Sequence, residues 1–340
     1  MTRTLFALAA LIGVGCSGNP AAAPEEDLLP STTRRMPAEW EPQAAVWLQW
    51  PQSWEGQGVE DAFVQIATAI ADYEDVHLLA TDAATEASGR AALGDLARVT
   101  WHVIGNDNSW MRDNGPRYVF LDGQLAVQDW GFDGWAGGFG DVPWALDNAV
   151  PSELATLLDL PFEAVGLVHE RGDLEVNGVD TALVNWSVMG HRNPGATKAE
   201  VTEVMQRALG VDSVIYAEGF DPLDGTRGHI DGMARFVAED AILVGDDGTA
   251  LMDRVAAQIS EQRPDLRVER LVSSDAASYL NFLVGNGFVL VATGSEDDVA
   301  REALQPFFPG RDIRFVDVEA LWANGGGIHC VTNDQPVSQE

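Results

Sequence analysis

The chain has 340 residues, 46% of them hydrophobic, enough to bury a large core in one domain or two. Its formal net charge is −33, from 53 acidic against 20 basic side chains. That excludes nucleic acid as a partner, because phosphate binding needs Lys and Arg gathered on one face, and it suits cationic small molecules. The bulk of the charge has a blander reading, a salty habitat or a GC-rich genome, since Lys198 is the only lysine.

The chain opens on "MTRTLFALAALIGVGCSGNP". Arg3 supplies a positive start, and Leu5 to Val14 is an apolar run too short to span a bilayer. Residues 1–16 read as an export signal, with Cys16 where a lipoprotein is acylated, although Gly13 stands where a large aliphatic residue is usual. The expectation is an exported bacterial protein, either anchored to the membrane through a lipid on Cys16 or periplasmic. Residues 17–35 read as a flexible tether and 36–337 as a single domain. Cys330 is then the only thiol of that domain, so no disulfide framework is expected.

Within the domain, "AAVWLQW", a helix over Val59–Tyr73 and the strand "DVHLLA" come first, followed by a helical stretch over Ala84–Leu96 and "VTWHVI". Hairpin-turn dipeptides then recur between β-rich runs: Asp122-Gly123, Asn177-Gly178 and Asn286-Gly287, with a further hairpin around Glu239-Asp240. Each hairpin is followed by a helical pattern (Pro151–Leu158, Thr197–Leu209, Ala250–Gln262, Glu296–Phe307) and then a short strand. Thr197 and Glu200 form a capping-box signature. The hairpin–helix–strand unit therefore occurs four times. The early segment lacks only a first strand, which the C-terminal "GIHCVTN" can supply. The expected fold is a five-bladed α/β propeller of ββαβ modules about a pseudo-fivefold axis, closed by the two chain ends.

Such symmetry brings the segments that precede each hairpin to one end of the axis. "DNSWMRDNGP", "VHERGD" and "DGTRGHIDGM" precede the first three hairpins. With Cys330 on the closing strand, they gather Asp113, Glu170, His229, Asp231 and Cys330. A lone Cys with a His is a nucleophile pair. His229 is the better partner, because adjacent His329 and Cys330 would point to opposite faces of a strand. His229 and Asp231 share a face if "GHID" is extended, and the flanking Gly228 and Gly232 suggest a close backbone approach. Three carboxylates around one thiol should blunt it, unless the substrate brings the positive charge. A guanidinium matches carboxylates in pairs, and its charge would favour the thiolate. Zinc on His229, Asp231, Glu170 and Cys330 is the rival reading, but no His-Glu-x-x-His or Cys-x-x-Cys spacing supports it. Trp110, Trp130 and Trp135 fit core packing, yet Trp110 and Trp135 sit beside site segments and can line a channel for an alkyl chain and a cation.

"MPAEWEPQAAVWLQWP", "WMRDNGP", "GHIDGMARFV" and "GGGIHCVTNDQP" together resemble the agmatine deiminase and bacterial-type peptidylarginine deiminase family of guanidino-group-modifying enzymes, in order over about Pro37 to Pro336. The resemblance implies the five-bladed propeller, no metal or organic cofactor, and hydrolysis of a guanidino compound to ammonia. Agmatine is the leading substrate; free or peptidyl arginine is the alternative, and a non-catalytic binding lipoprotein is a third. By position, Cys330 matches the nucleophile, His229 the general acid/base, Asp113 and Asp231 the guanidinium-holding pair, Glu170 the glutamate that orients the histidine, and Trp110 a substrate-side tryptophan. Trp135 and Asn281 are placed on the substrate side with it. Two departures stand out: Arg171 follows Glu170 where the family has Gly, and Asp133 replaces an Asn, where it would suit an ammonium. No Arg lies between Arg117 and Arg171 to grip a peptide carboxylate.

Overall fold

The repeat read from turns and periods is present in the computed structural model, which describes residues 26–338. The export signal and Cys16 lie outside the described residues. In the first unit, Arg117–Leu121 pairs antiparallel with Gln124–Asp129, the helix Val150–Leu158 crosses over, and Phe162–Ala164 returns parallel. The second, third and fourth units repeat this order, with helices Lys198–Leu209, Ala250–Gln262 and Asp297–Leu304. The fifth is split as expected. C-terminal Asn333–Pro336 pairs antiparallel with Gln43–Gln49, which continues through the helix Val59–Ala71 to parallel Asp75–Ala80 and Val99–Val103. The described residues thus form five sheets, the blades of an α/β propeller.

Each helix has one apolar stripe and wedges it between its own blade and the preceding one. Ala250–Gln262 buries Met252, Val255, Ala256 and Ile259, spaced at three and four residues, against Ile215 of the second blade and Ile242 and Val244 of the third. Val59–Ala71 buries Phe63, Ile66 and Ile70 against Leu290 of the fourth blade and Leu48 and Leu78 of the fifth. Each large side chain so buried contributes about 1.5–3 kcal/mol. The core is therefore a ring of inter-blade clusters, and the axis is left to polar groups. The Thr197–Glu200 capping box closes as its sequence predicts.

Three local expectations need correction. The stretch from Asp27 to Arg35, assigned to the tether, packs on the domain. Asp27 bridges Ala164, Arg34–Arg35 adds a strand beside Phe120 and Leu121, and Arg34 pairs at 2.5 Å with the fully buried Glu163. Asn177-Gly178 is not a two-residue turn. The Asn177 side-chain oxygen accepts from the backbone N–H groups of Val179, Asp180 and Thr181, and this Asx arrangement spends four residues on the bend. Cys330 is not on the closing strand but on the short helical turn Ile328–Val331 just before it.

Candidate active site

In every blade a short helical turn precedes the first strand of the unit. The five turns are Met111–Asn114, Arg171–Asp173, Ile230–Gly232, Ala276–Leu280 and Ile328–Val331. Adjacent turns pack against one another. On or beside them sit Asp113, Glu170, His229 with Asp231, Asn281 and Cys330. The pseudo-fivefold repeat thus delivers five sequence-distant groups to one place. A 3-10 turn over Ile230–Gly232 interrupts the "GHID" segment, so His229, just before the turn, and Asp231, within it, do not meet by strand alternation; both reach the centre from a tight bend.

His229 is buried among carboxylates. Its Nδ1 lies 3.5 Å from an Asp113 oxygen and its Nε2 3.8 Å from Glu170 Oε2, and that nitrogen and that oxygen make no hydrogen bond. Burial disfavours the imidazolium, but Asp113, Glu170 and Asp231 together outweigh it and raise His229 to about 10. Glu170 accepts from Arg192 Nε at 2.6 Å. Burial opposes its charge, but Arg192 and His229 prevail and hold the carboxyl well below its usual range. Asp113 accepts from the Trp135 indole at 2.8 Å and from Gly172 N–H at 3.3 Å; burial lifts it to about 6 against the pull of His229.

Cys330 Sγ stands 3.8 Å from Asp231 Oδ2 and receives the Asn281 amide N–H at 3.2 Å. Burial, Asp231 and Asp113 push its thiol well above the ordinary range. Three glycines lead into it, and the middle one has a steric reason: a Cβ on Gly326 would come within 2.5 Å of the Trp110 ring and 3.1 Å of Cys330 Sγ. Asp231 is held below its usual value. Burial opposes this, but a 2.8 Å bond to His329 Nδ1 outweighs it.

Two cavities meet at this cluster, bordered in common by Cys330, Thr226 and Gly325. The larger, about 460 Å³, holds His229, Asp231 and Asn281 and opens past Asp221, Asp224 and Asp247. The smaller, about 110 Å³, holds Asp113, Trp110, Trp135 and Glu55. No Lys or Arg among the described residues lines either one. Among the described residues no three His, Cys, Asp or Glu side chains are arranged to hold a metal ion.

Most residues singled out from the sequence converge here. Asp133 does not: it lines neither cavity, and its carboxylate instead accepts from Ala136 N–H at 2.8 Å, closing the turn that carries Trp135. Trp130 is core, stacked on Arg117. Arg171 lines neither cavity, and its side chain reaches Asn333 and Asp334 at 3.0 and 2.7 Å. Of the two glycines flanking the histidine, Gly228 is tight and at φ 94°, whereas a Cβ on Gly232 would meet nothing within 4 Å. Asn281 touches the thiol and also accepts from His329 N–H at 2.9 Å, so it holds the nucleophile's turn as well as facing the cavity. Arg192 was not foreseen: it lies on a helix in no recognisable motif, and only the fold reveals it beside Glu170.

Comparison with known proteins agrees with this geometry. The family model of the Porphyromonas-type peptidyl-arginine deiminases matches residues 35–336. An agmatine deiminase of Pseudomonas syringae pv. tomato is 30% identical over 351 residues, covering 88% of this chain and 95% of that protein. A putative agmatine deiminase of Pectobacterium atrosepticum is 31% identical, covering 89% and 95%. The solved agmatine deiminase of Enterococcus faecalis superposes with a TM-score of 0.83 at 25% identity, over 93% of this chain and 100% of that one. A putative arginine deiminase structure from Porphyromonas gingivalis gives 0.80 at 28%, over 90% and 99%. With a matched model spanning nearly the whole domain and the same propeller in solved relatives, the chain belongs to the Porphyromonas-type peptidyl-arginine deiminase family, beside the agmatine deiminases.

Proposed function

We propose that the protein hydrolyses agmatine to N-carbamoylputrescine and ammonia through a covalent intermediate on Cys330. The observation that carries the reading is one thiol gathered with a buried histidine and two aspartates, in cavities that no Lys or Arg of the described residues lines. A planar cation between Asp113 and Asp231 would meet carboxylates on both edges. Its charge also offsets the two aspartates that hold the thiol proton on, so the substrate itself favours the thiolate. The thiol gives its proton to solvent as the cation binds, and Sγ attacks the guanidinium carbon, forming a C–S bond and moving the C=N electron pair onto nitrogen. His229 gives its proton to the departing nitrogen, and ammonia leaves with the C–N pair. The neutral His229 takes one proton from water as its oxygen adds to the thiouronium carbon; the C–S bond then breaks with its electron pair on sulfur, and the remaining O–H proton passes to that sulfur as the carbonyl forms, restoring the Cys330 thiol.

Glu55 in one cavity and Asp221, Asp224 and Asp247 at the mouth of the other suit the second cation of agmatine. The carboxylate of free arginine finds no basic partner there, and the relatives whose names carry agmatine deimination support the same choice. The experiment is ammonia release from agmatine, arginine and an arginyl peptide by a chain beginning at Glu26, with Cys330→Ser alongside. Agmatine should be preferred, and the serine variant should bind it without turnover. Preference for arginine, or an active serine variant, would overturn the reading. The apolar run Leu5–Val14 before Cys16 supports export and lipid anchoring of the enzyme. On that reading Cys16→Ala releases the protein from the membrane fraction.

A further inference from the structure

The reaction above gives His329 no task, yet it is among the most tightly held side chains at the centre. Its ring is 1% exposed and lies between two carboxylates, with Nδ1 2.8 Å from Asp231 Oδ2 and Nε2 2.8 Å from Glu39 Oε2. Its backbone is fixed on both sides, since its N–H donates to Asn281 at 2.9 Å and its carbonyl accepts from Arg112 Nε at 3.1 Å. A neutral imidazole has one N–H and one lone pair. Set between two ionised carboxylates, it would satisfy one contact and oppose lone pairs in the other. The two short contacts therefore need one proton more in the Asp231–His329–Glu39 chain than a neutral ring brings.

The surroundings supply the charge balance for that proton. The chain belongs to a contiguous set of groups buried about the axis. Arg235 reaches Glu175 and Glu39, Arg112 reaches Glu39 and Asp334, and Arg171 reaches Asp334. Three guanidinium groups (Arg112, Arg171, Arg235) face four carboxyl groups (Glu39, Glu175, Asp231, Asp334), so one added proton makes the set neutral. Burial, Arg112 and Arg235 oppose localising it on the ring, and burial lifts Glu175 of the same set to about 7, so that carboxyl also accepts it.

We propose that His329 is a positioning residue: it fixes Oδ2 of Asp231, so that the other carboxylate oxygen is presented to the guanidinium edge at the register at which Cys330 Sγ meets the guanidinium carbon. The nucleophile and the clamp on the substrate-holding carboxylate are neighbours on one helical turn. Any shift of Cys330 therefore carries the grip on Asp231 with it. This rests on the guanidinium reading of the site.

The test compares His329→Ala, His329→Asn and His329→Gln. An Asn amide nitrogen falls near the position of Nδ1 and can keep the bond to Asp231; a Gln amide nitrogen falls near Nε2 and keeps only the bond to Glu39. Readouts are kcat and KM for agmatine, and the rates at which a cationic haloacetamidine and neutral iodoacetamide modify Cys330. Ala and Gln should lose about ten- to hundredfold in kcat/KM, mainly through KM, as expected for one hydrogen bond to a charged group. They should lose similarly toward the amidine and little toward iodoacetamide, and Asn should recover most of both losses. On an Asp231→Asn background, His329→Gln should add little. Equal losses toward both reagents, Gln as good as Asn, or failure of all three variants to fold would overturn the proposal in favour of a structural role. If the wild type turns over no agmatine, the substrate reading fails by itself, and the ratio of the two reagents still decides the role of His329.

Discussion

His229 and Asp113 face each other at 3.5 Å, and their proton equilibria set the working range of the site. His229 keeps its proton up to about pH 10, so its favourable contribution to folding is complete below the free imidazole range and is lost as pH rises through about 10. Asp113, lifted to about 6 by burial, holds its proton longer in the fold than in the unfolded chain. Its contribution is likewise complete at low pH and is lost as pH rises through about 6. Catalysis needs the opposite state of Asp113 and the same state of His229. The profile of kcat/KM, which reports the free enzyme, should therefore rise through about 6 and fall through about 10. A profile with no acid limb would remove Asp113 from recognition. The aspartates themselves give a sharper measurement. Removing one partner of a buried charged pair costs about 3–5 kcal/mol, so Asp113→Ala or Asp231→Ala should lose about two to three decades or more in kcat/KM. Reactivity toward a cationic amidine should fall with it, and reactivity toward a neutral alkylating reagent should not.

The short turns ahead of each first strand are where the fold controls the chemistry, and Gly172 shows how little slack they have. It has no unusual φ, so alanine strains no backbone there, but an added Cβ would lie 2.6 Å from both Asp113 Oδ1 and His229 Nδ1. Gly172→Ala should therefore push the acid/base pair apart with little loss of stability. Displacements near 1 Å can cost about a hundredfold in rate. Gly105→Ala is the control, because Gly105 lines neither cavity and its Cβ would make only ordinary contacts at 3.6 Å or more. Equal kinetics for the two variants would show that the turn is not under this constraint. These turns also mark the limit of what was legible in the sequence. Hairpin dipeptides and helix periods are local signals, so Asp122-Gly123, at φ 51° and 87°, and the stripe of Ala250–Gln262 could be read directly. The repeat then places Asp113, Glu170, His229 and Cys330 together from the sequence alone. Single-turn helices carry no period, so the sequence reads Cys330 as part of the strand that follows it. Arg192 and Glu39 act through distant partners, among them Glu170 at 22 residues and His329 at 290, and no local pattern announces such pairs.

Ring closure is the property of the whole molecule on which the site depends, because the nucleophile arrives on the last turn of the described chain. Apolar helices hold neighbouring blades together, but around the axis the closing strand is held by charge. Asp334 on that strand accepts from Arg112 of the first unit's turn at 2.8 Å and from Arg171 of the second unit's turn at 2.7 Å, with all three side chains nearly inaccessible. Asn333 beside it accepts from Arg171 and donates to the carbonyls of Met111 and Pro116. Asp334→Ala would strip both guanidinium groups of this acceptor. Arg112 would keep Glu39 at 3.6 Å and the His329 carbonyl, and Arg171 would keep only Asn333. Losing one partner of a buried ion pair costs about 3–5 kcal/mol, so the denaturation midpoint should drop clearly. Arg112 also anchors the His329 carbonyl, so the damage should reach the turn that carries Cys330 and lower kcat in the protein that remains folded. Asp334→Asn keeps an acceptor oxygen at the same place and should recover part of the stability. Unchanged thermal and chemical denaturation in Asp334→Ala would mean that the ring is closed by the backbone ladder to Gln43–Gln49 and the apolar wedges alone, with no contribution from the axial arginines.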